Sequence, residues 1–257
     1  MNFPPSIATI VKTSAYKREN IGMSAASVLL FADYVLKIRP EGGMDTMDTE
    51  VLRWLKGRLP VPEVVAHEIQ SGKDWLLMTR IRGKMLSDSS VMENSTLLLD
   101  CMAEALQRLW TVPTADFPFD QTNCPARAVE ALQSGRSDPS NVEPETLGPE
   151  GFDCLQSLAD WLKTHQPPLD LVFIHGDFCL PNLFTDGNHF IGYIDLGDAG
   201  IGDRWMDLAL GWRSLKHNSN GYYGRRYPID PYDLFRAVGI PKDEEKLRYY
   251  LLLDELF

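Results

Sequence analysis

The sequence predicts an α+β chain of two lobes: an N-terminal lobe of antiparallel strands over residues 1 to 80 and a larger, mainly helical lobe over residues 81 to 257. Three observations carry that reading. Before residue 80, short apolar stretches alternate with polar positions between turn residues, as half-buried strands do. After residue 81, apolar residues recur at helical spacing in long stripes. At 257 residues the chain can bury a substantial core, and a single core rarely grows much beyond this size.

Taken in order, a short helix-like start is followed by the bend Ile21 to Ser27, then Val28 to Phe31, a tight Ala32-Asp33 turn, and Tyr34 to Arg39, which together read as a β-hairpin. In its second strand Tyr34, Leu36 and Ile38 share one face and Val35, Lys37 and Arg39 the other, which aims Lys37 into a cleft. A helix from Met47 to Lys56 buries Met47, Val51, Leu52 and Leu55, and Leu59-Pro60-Val61-Pro62 ends it because proline lacks the amide donor. Strands Val64 to Ile69 and Trp75 to Met78 flank a Gln70 to Asp74 turn, and Thr79 to Gly83 reads as a hinge.

The second lobe opens with a helix whose Leu98, Met102, Ala105, Leu106 and Leu109 form one stripe. Phe117 to Pro125 is a proline-broken loop, Ala126 to Leu132 resumes as helix, and Ser137 to Gly151 is the most turn-rich segment of the chain. Further on, Asp203 can N-cap a helix whose Trp205, Leu208, Ala209, Trp212 and Leu215 share a face, with Asp207 near that buried face. A last helix starts near Pro241, packs Leu247, Tyr250 and Leu251 inward, and ends at Asp254-Glu255-Leu256-Phe257. Carboxylates there oppose the helix dipole and are mildly destabilising unless a cation is supplied.

Between these helices lies the stretch with the chemistry, LVFIHGDFCLPNLFTDGNHFIGYIDLGDAGIGDRW from Leu171 to Trp205. Asp177 follows a short buried strand. Asn182 comes five residues later, and Asp195 closes a strand that returns from the turn Asp186-Gly187-Asn188. Asp, four residues, Asn, then Asp-x-Gly is the order of the kinase catalytic and metal loops. Asp177 takes the role of base, Asn182 and Asp195 are magnesium ligands, and Gly197 frees the backbone.

HGDFCLPN, IDLGDAGIGDRWMDLAL and the closing LLLDELF resemble the aminoglycoside 3′-phosphotransferases, bacterial antibiotic kinases built on a protein-kinase-like fold. LKI, RWLKGRLPVPEV and DWLLM extend the resemblance over nearly the whole chain. The bend before the hairpin lacks both the Walker G-x-x-x-x-G-K-[ST] and the protein-kinase G-x-G-x-x-G.

The resemblance implies an ATP or GTP donor, with Ser24 and neighbouring amides at its phosphates and the Arg80 and Ile81 main chain at the purine edge. It further implies that Lys37 steadies the phosphates with Asp48 as its helix acid, a position where relatives carry a Glu. Val35 stands where relatives carry an aromatic adenine-stacking residue. Asp207 is implied to accept hydrogen bonds from the backbone of residues 175 to 177. Glu143, Glu145, Glu150, Arg213, Asp254, Glu255 and Phe257 are implied to face a polycationic aminoglycoside.

The chain departs from the family at Asp198, where an arginine is usual, and at His217 and Asn218, where relatives carry acids. Those departures keep open a kinase for another hydroxylated small molecule, or a catalytically silent relative that binds nucleotide or antibiotic.

Charge fits a polycationic partner. The net charge is -11; residues 1 to 80 carry 10 Lys and Arg against 9 Asp and Glu, and residues 81 to 257 carry 15 against 27. Such a field repels nucleic acid. Cys101, Cys124, Cys154 and Cys179 stand far apart with no C-x-x-C and suggest neither a zinc site nor a disulfide framework, and no apolar run of membrane-spanning length occurs. A cytoplasmic protein, monomeric or weakly dimeric, is the expectation.

Overall fold

The computed structural model describes residues 2–12, 14–19, 26–41, 48–117, 124–135, 142–149 and 151–256. Ser24, Met47, Glu150 and Phe257, all named above, lie outside the described residues.

In chain order the elements are α1 (Pro5–Val11), β1 (Lys17–Glu19), β2 (Ser27–Leu30), β3 (Tyr34–Pro40), α2 (Asp48–Leu55), β4 (Val64–Gln70) and β5 (Lys73–Thr79). There follow β6 (Lys84–Met85), α3 (Ser89–Met92), α4 (Ser95–Trp110), α5 (Cys124–Gln133) and α6 (Leu155–Thr164). The chain closes with β7 (Leu171–Ile174), β8 (Leu183–Thr185), β9 (Phe190–Tyr193), β10 (Gly200–Asp203), α7 (Arg204–Ser219), α8 (Asp233–Val238) and α9 (Glu244–Asp254).

The first lobe is one antiparallel sheet in the order β1-β2-β3-β5-β4. Strand alternation gives it two unlike faces. Leu29, Leu36, Ile38, Trp75 and Leu77 lie on one face and form a small core with Ile7 and Val11 of α1. Lys37, Arg39, Asp74 and Leu76 lie on the other, with Lys37 opposite Leu76 and Arg39 opposite Asp74 in register. The β4–β5 turn places Ser71 at φ 56° and Gly72 at φ 69°, the left-handed pair that two-residue hairpins favour.

The second lobe surrounds a larger core to which α4 contributes Leu98, Met102, Ala105, Leu106 and Leu109, all fully buried. Val51, Leu52 and Leu55 of α2 belong to this same core, so α2 links the lobes. Two small sheets carry the site: β6-β8-β9, and β7 paired antiparallel with β10. The α9 helix begins at Glu244, later than Pro241, because Asp243 caps it by accepting from the amides of Glu245 and Lys246 at 3.1 and 3.0 Å. Leu251 is only partly buried in α9, whereas Leu252 and Leu253 are buried beside Leu247 and Tyr250. Among the described residues no helix is long and apolar enough to cross a membrane.

Candidate active site

The loop that carries Asp177 starts where β7 runs out. Gly176 turns the chain at φ 85°, and a Cβ there would lie 2.2 Å from the Asp198 carbonyl oxygen, so no side chain fits. Beneath the loop, Asp207 of α7 is fully buried and accepts from the amides of His175 at 2.7 Å and Gly176 at 3.0 Å. The third amide, that of Asp177, donates instead to His175 Nδ1 at 3.2 Å. With Nδ1 accepting, His175 Nε2 carries the proton and donates to the Ile194 carbonyl at 3.0 Å. His175 thus ties the loop bearing Asp177 to the strand end before Asp195. Burial holds its pKa below the ordinary histidine value. Burial also pushes Asp207 up to about 7, against the pull of its two amide donors.

Asp177 is exposed at the loop mouth, while Asn182 is buried at the end of a single 3-10 turn, Leu180–Asn182. Asn182 Nδ2 donates to Asp177 Oδ2 at 2.9 Å and to the Asp177 carbonyl at 3.0 Å. That leaves Oδ1 as the asparagine atom suited to a cation. Asp195, half exposed, adopts a left-handed φ of 59°, a costly conformation for a non-glycine residue that is held by its surroundings. Two residues on, a Cβ at Gly197 would lie 2.6 Å from Asp48 Oδ1, so glycine lets this backbone approach α2.

From the sheet lobe Lys37 reaches the same point. Its Nζ lies 3.0 Å from Asp48 Oδ2 and 2.6 Å from Asp195 Oδ1. Burial alone would lower the Lys37 pKa; the two carboxylates outweigh it and hold it above the ordinary lysine value. The structure therefore brings together Lys37, Asp48 and Asp195 as one group and Asp177 with Asn182 as another, the two joined through the backbone bond from Ile194 N to Asn182 O at 2.9 Å.

At the hinge, the Arg80 amide donates to the Asp33 carbonyl at 2.9 Å, while the Ile81 amide has no main-chain partner among the described residues.

At the far side of the second lobe, the acids at the end of α9 meet partners supplied by the protein. Arg213 of α7 forms an ion pair with Asp254. Glu255 accepts from the Glu143 amide at 2.7 Å and the Thr146 hydroxyl at 3.0 Å, which ties residues 142–149 to the C-terminus. Burial raises the Glu255 pKa in spite of those donors. The Glu143 carboxylate is 3.2 Å from His217 Nε2, and Glu145 is exposed on the same loop. So Arg213 holds an acid rather than standing alone, and His217 pairs with a loop acid.

Sequence reasoning missed Tyr222 and Tyr223. They are 67% and 68% exposed; Tyr222 stacks on His217 with centroids 4.6 Å apart, and Tyr223 meets Tyr222 edge-on at 5.0 Å. The signal was present as an aromatic pair between Gly221 and Gly224, both at positive φ, but it reads as an ordinary turn.

A sheet lobe that aims a lysine at an Asp-x-Gly loop, over a helical lobe that presents an aspartate beside an asparagine, defines a phosphotransferase of the two-lobed kinase class. The chain belongs to the phosphotransferase enzyme family, whose model matches residues 21–236. It is similar along its whole length to the aminoglycoside 3′-phosphotransferase of Niallia circulans, with 33% identity over 267 residues covering 100% of this chain and 98% of the relative. The aminoglycoside 3′-phosphotransferase of Enterococcus faecalis is 30% identical over 268 residues, covering 100% and 99%. Among solved structures, an aminoglycoside-3′-phosphotransferase of type VIII superposes with a TM-score of 0.80 at 25% identity, covering 98% of each chain.

Proposed function

We propose that the protein transfers the γ-phosphate of a nucleoside triphosphate to the 3′-hydroxyl of an aminoglycoside, and so acts as a cytoplasmic antibiotic-resistance kinase. The observation that carries this reading is the pairing of Asp177 with Asn182 beside the Lys37, Asp48 and Asp195 group, in a chain similar end to end to aminoglycoside 3′-phosphotransferases. A boundary at residues 79–83 separates the lobes in this reading. The nucleotide lies between them, with its purine edge at the Ile81 main chain and its phosphates near Lys37 and the bend containing Ser24.

Asp177 orients the acceptor hydroxyl and takes its proton as the oxygen attacks. Its Oδ2 is fixed by Asn182 Nδ2, so the loop needs no rearrangement to present the other oxygen. Lys37 steadies the phosphates once it turns from Asp195. Magnesium fits the donor set: Asn182 Oδ1 and the Asp195 carboxylate are hard oxygen donors, and phosphate oxygens and water would complete the shell. Bound there, the ion would neutralise charge on the transferring phosphoryl group.

Asp254, Glu255, Glu143, Glu145 and Glu150 supply the negative wall that a polyammonium ligand requires, with Arg213 holding Asp254 in place. Tyr222 and Tyr223 add exposed ring faces next to Glu143 and His217, suited to sugar rings and ammonium groups.

The test is mass spectrometry of kanamycin or neomycin incubated with the protein, magnesium and ATP or GTP, with neutral sugars and polyamines as rival acceptors. One phosphate added to the antibiotic, and none by Asp177→Asn, is expected. A neutral sugar phosphorylated in preference would replace the aminoglycoside with another polyol.

A further inference from the structure

Ser214 has no part in the reading above, yet its hydroxyl reaches the loop that carries Asp177. That loop ends in the 3-10 turn Leu180–Asn182. Pro181 has no N–H to place, and the Asn182 N–H closes the turn on the Cys179 carbonyl at 3.0 Å. The remaining donor, the Leu180 N–H, donates to Ser214 Oγ at 2.9 Å. Leu180 is fully buried, so a hydroxyl from α7 serves the open amide that a helical turn leaves at its start.

This bond is one of three contacts along a single stripe of α7. Asp207, Gly211 and Ser214 are spaced i, i+4 and i+7, which sets them on one helix face over about 10 Å. Asp207 accepts from the amides of His175 and Gly176. A Cβ at Gly211 would lie 3.0 Å from Phe178 Cδ1, so glycine leaves room for that buried ring. Ser214 takes the Leu180 amide. The loop therefore runs along α7 in the direction of the helix, with Phe178 and Leu180 buried and Asp177 exposed before them.

Asn182 joins the two ends of the loop. Its Nδ2 donates to both the carbonyl and Oδ2 of Asp177, so the geometry of the pair holds only while both ends are held. Asp207 secures the first end, and Ser214 secures the second, two residues before Asn182. Loss of the hydroxyl would leave a buried amide without its acceptor and free the turn to shift. We propose that Ser214 is a positioning residue for the Asn182–Asp177 pair, acting through the Leu180 amide and the 3-10 turn. This inference rests on the roles proposed above for Asp177 and Asn182.

The test uses the full chain and compares wild type, Ser214→Ala and Ser214→Thr. It measures the single-turnover rate of transfer to kanamycin, steady-state KM values, thermal melts, and calorimetric titrations of ADP with magnesium or with EDTA. Ser214→Ala is expected to slow transfer about tenfold, the low end of the loss when a group behind a metal ligand is removed, with both KM values within about twofold of wild type. Ser214→Thr keeps the hydroxyl and should recover most of that loss. A merely structural Ser214 would lower the melting midpoint and leave the transfer rate of the folded protein within about twofold, which overturns the proposal. If wild type phosphorylates no kanamycin, the proposed function fails and the titrations alone decide this inference. The gain in ADP affinity that magnesium brings should then shrink at least about threefold in Ser214→Ala, and an unchanged gain overturns the proposal. Should Ser214→Ala not fold, Gly211→Ala takes its place, since it presses on Phe178 without uncovering a polar group; the same loss is expected, and an unchanged rate and gain overturn the proposal.

Discussion

At the scale of single residues, the catalytic claim falls on Asp177. A general base contributes about 10²- to 10⁴-fold, so Asp177→Asn should lower kcat by at least about 10²-fold while the melting midpoint stays close to wild type, since the side chain is exposed. Tyr222 is testable by kinetics alone. Tyr222→Ala removes a ring that covers His217, and is expected to raise the KM for the aminoglycoside about fivefold with no change in the KM for nucleotide. Equal KM values for both substrates before and after the substitution would remove the two tyrosines from the acceptor wall. Lys37 was legible because alternation along a strand fixes which side chains share a face, and Asp177, Asn182 and Asp195 were legible because their order and spacing are distinctive. The Arg39–Asp74 ion pair was not, since Asp74 lies 35 positions away and only strand register brings it opposite. The donors to Asp207 were read from resemblance as the 175 to 177 backbone; the structure assigns two of those amides to Asp207 and turns the third to His175.

At the scale of elements, α7 and α9 each hold a loop in place through one buried or half-buried acid. Asp207 joins α7 to the loop that carries Asp177, and its pKa of about 7 in the folded protein lies above the ordinary 3.8 of the unfolded chain. The folded state therefore binds the extra proton. The stability this group contributes is fully present below about pH 4 and is lost as pH rises through about 7. The difference in unfolding free energy between wild type and Asp207→Asn, measured by denaturant titration, should accordingly move in favour of the variant as pH rises over that window. At any pH the asparagine leaves one buried amide poorly served, at about 1–3 kcal/mol. A pH-independent difference would contradict the raised pKa. For α9, Glu255→Gln should loosen residues 142–149, lowering stability by about 1 kcal/mol and speeding amide exchange at Glu143, whose N–H the carboxylate accepts.

Long elements were the easy part of the sequence. The α4 stripe is buried as its spacing indicated, because 16 residues give helical periodicity room to show. Strands of three or four residues do not. Lys17–Glu19 is charged throughout, Gly200–Asp203 is half glycine, and the partner of each is set by packing elsewhere in the chain.

At the scale of the whole molecule, two lobes of different charge meet at the site. The acidic balance of residues 81 to 257 should draw in a polycation, and salt should weaken that attraction, since the Debye length falls from about 30 Å at about 0.01 M to about 3 Å at about 1 M. The KM for the aminoglycoside is expected to climb with ionic strength while kcat changes little. The acids nearest the C-terminus are already partnered by Arg213, Thr146 and the Glu143 amide, so a polycation bound there would join an ordered network instead of neutralising bare charges.

The central claim is phosphoryl transfer to one hydroxyl of a polycationic sugar, and the site of the new bond tests it most directly. Kanamycin and its 3′-deoxy analogue are each incubated with the protein, magnesium and nucleoside triphosphate, and the products are mapped by phosphorus-proton correlation NMR. The structure and its relatives predict one phosphate on the 3′-oxygen of kanamycin and no product from the deoxy analogue. Equal phosphorylation of the deoxy analogue would contradict the assigned position, and no product from a protein that binds both substrates would contradict transfer itself.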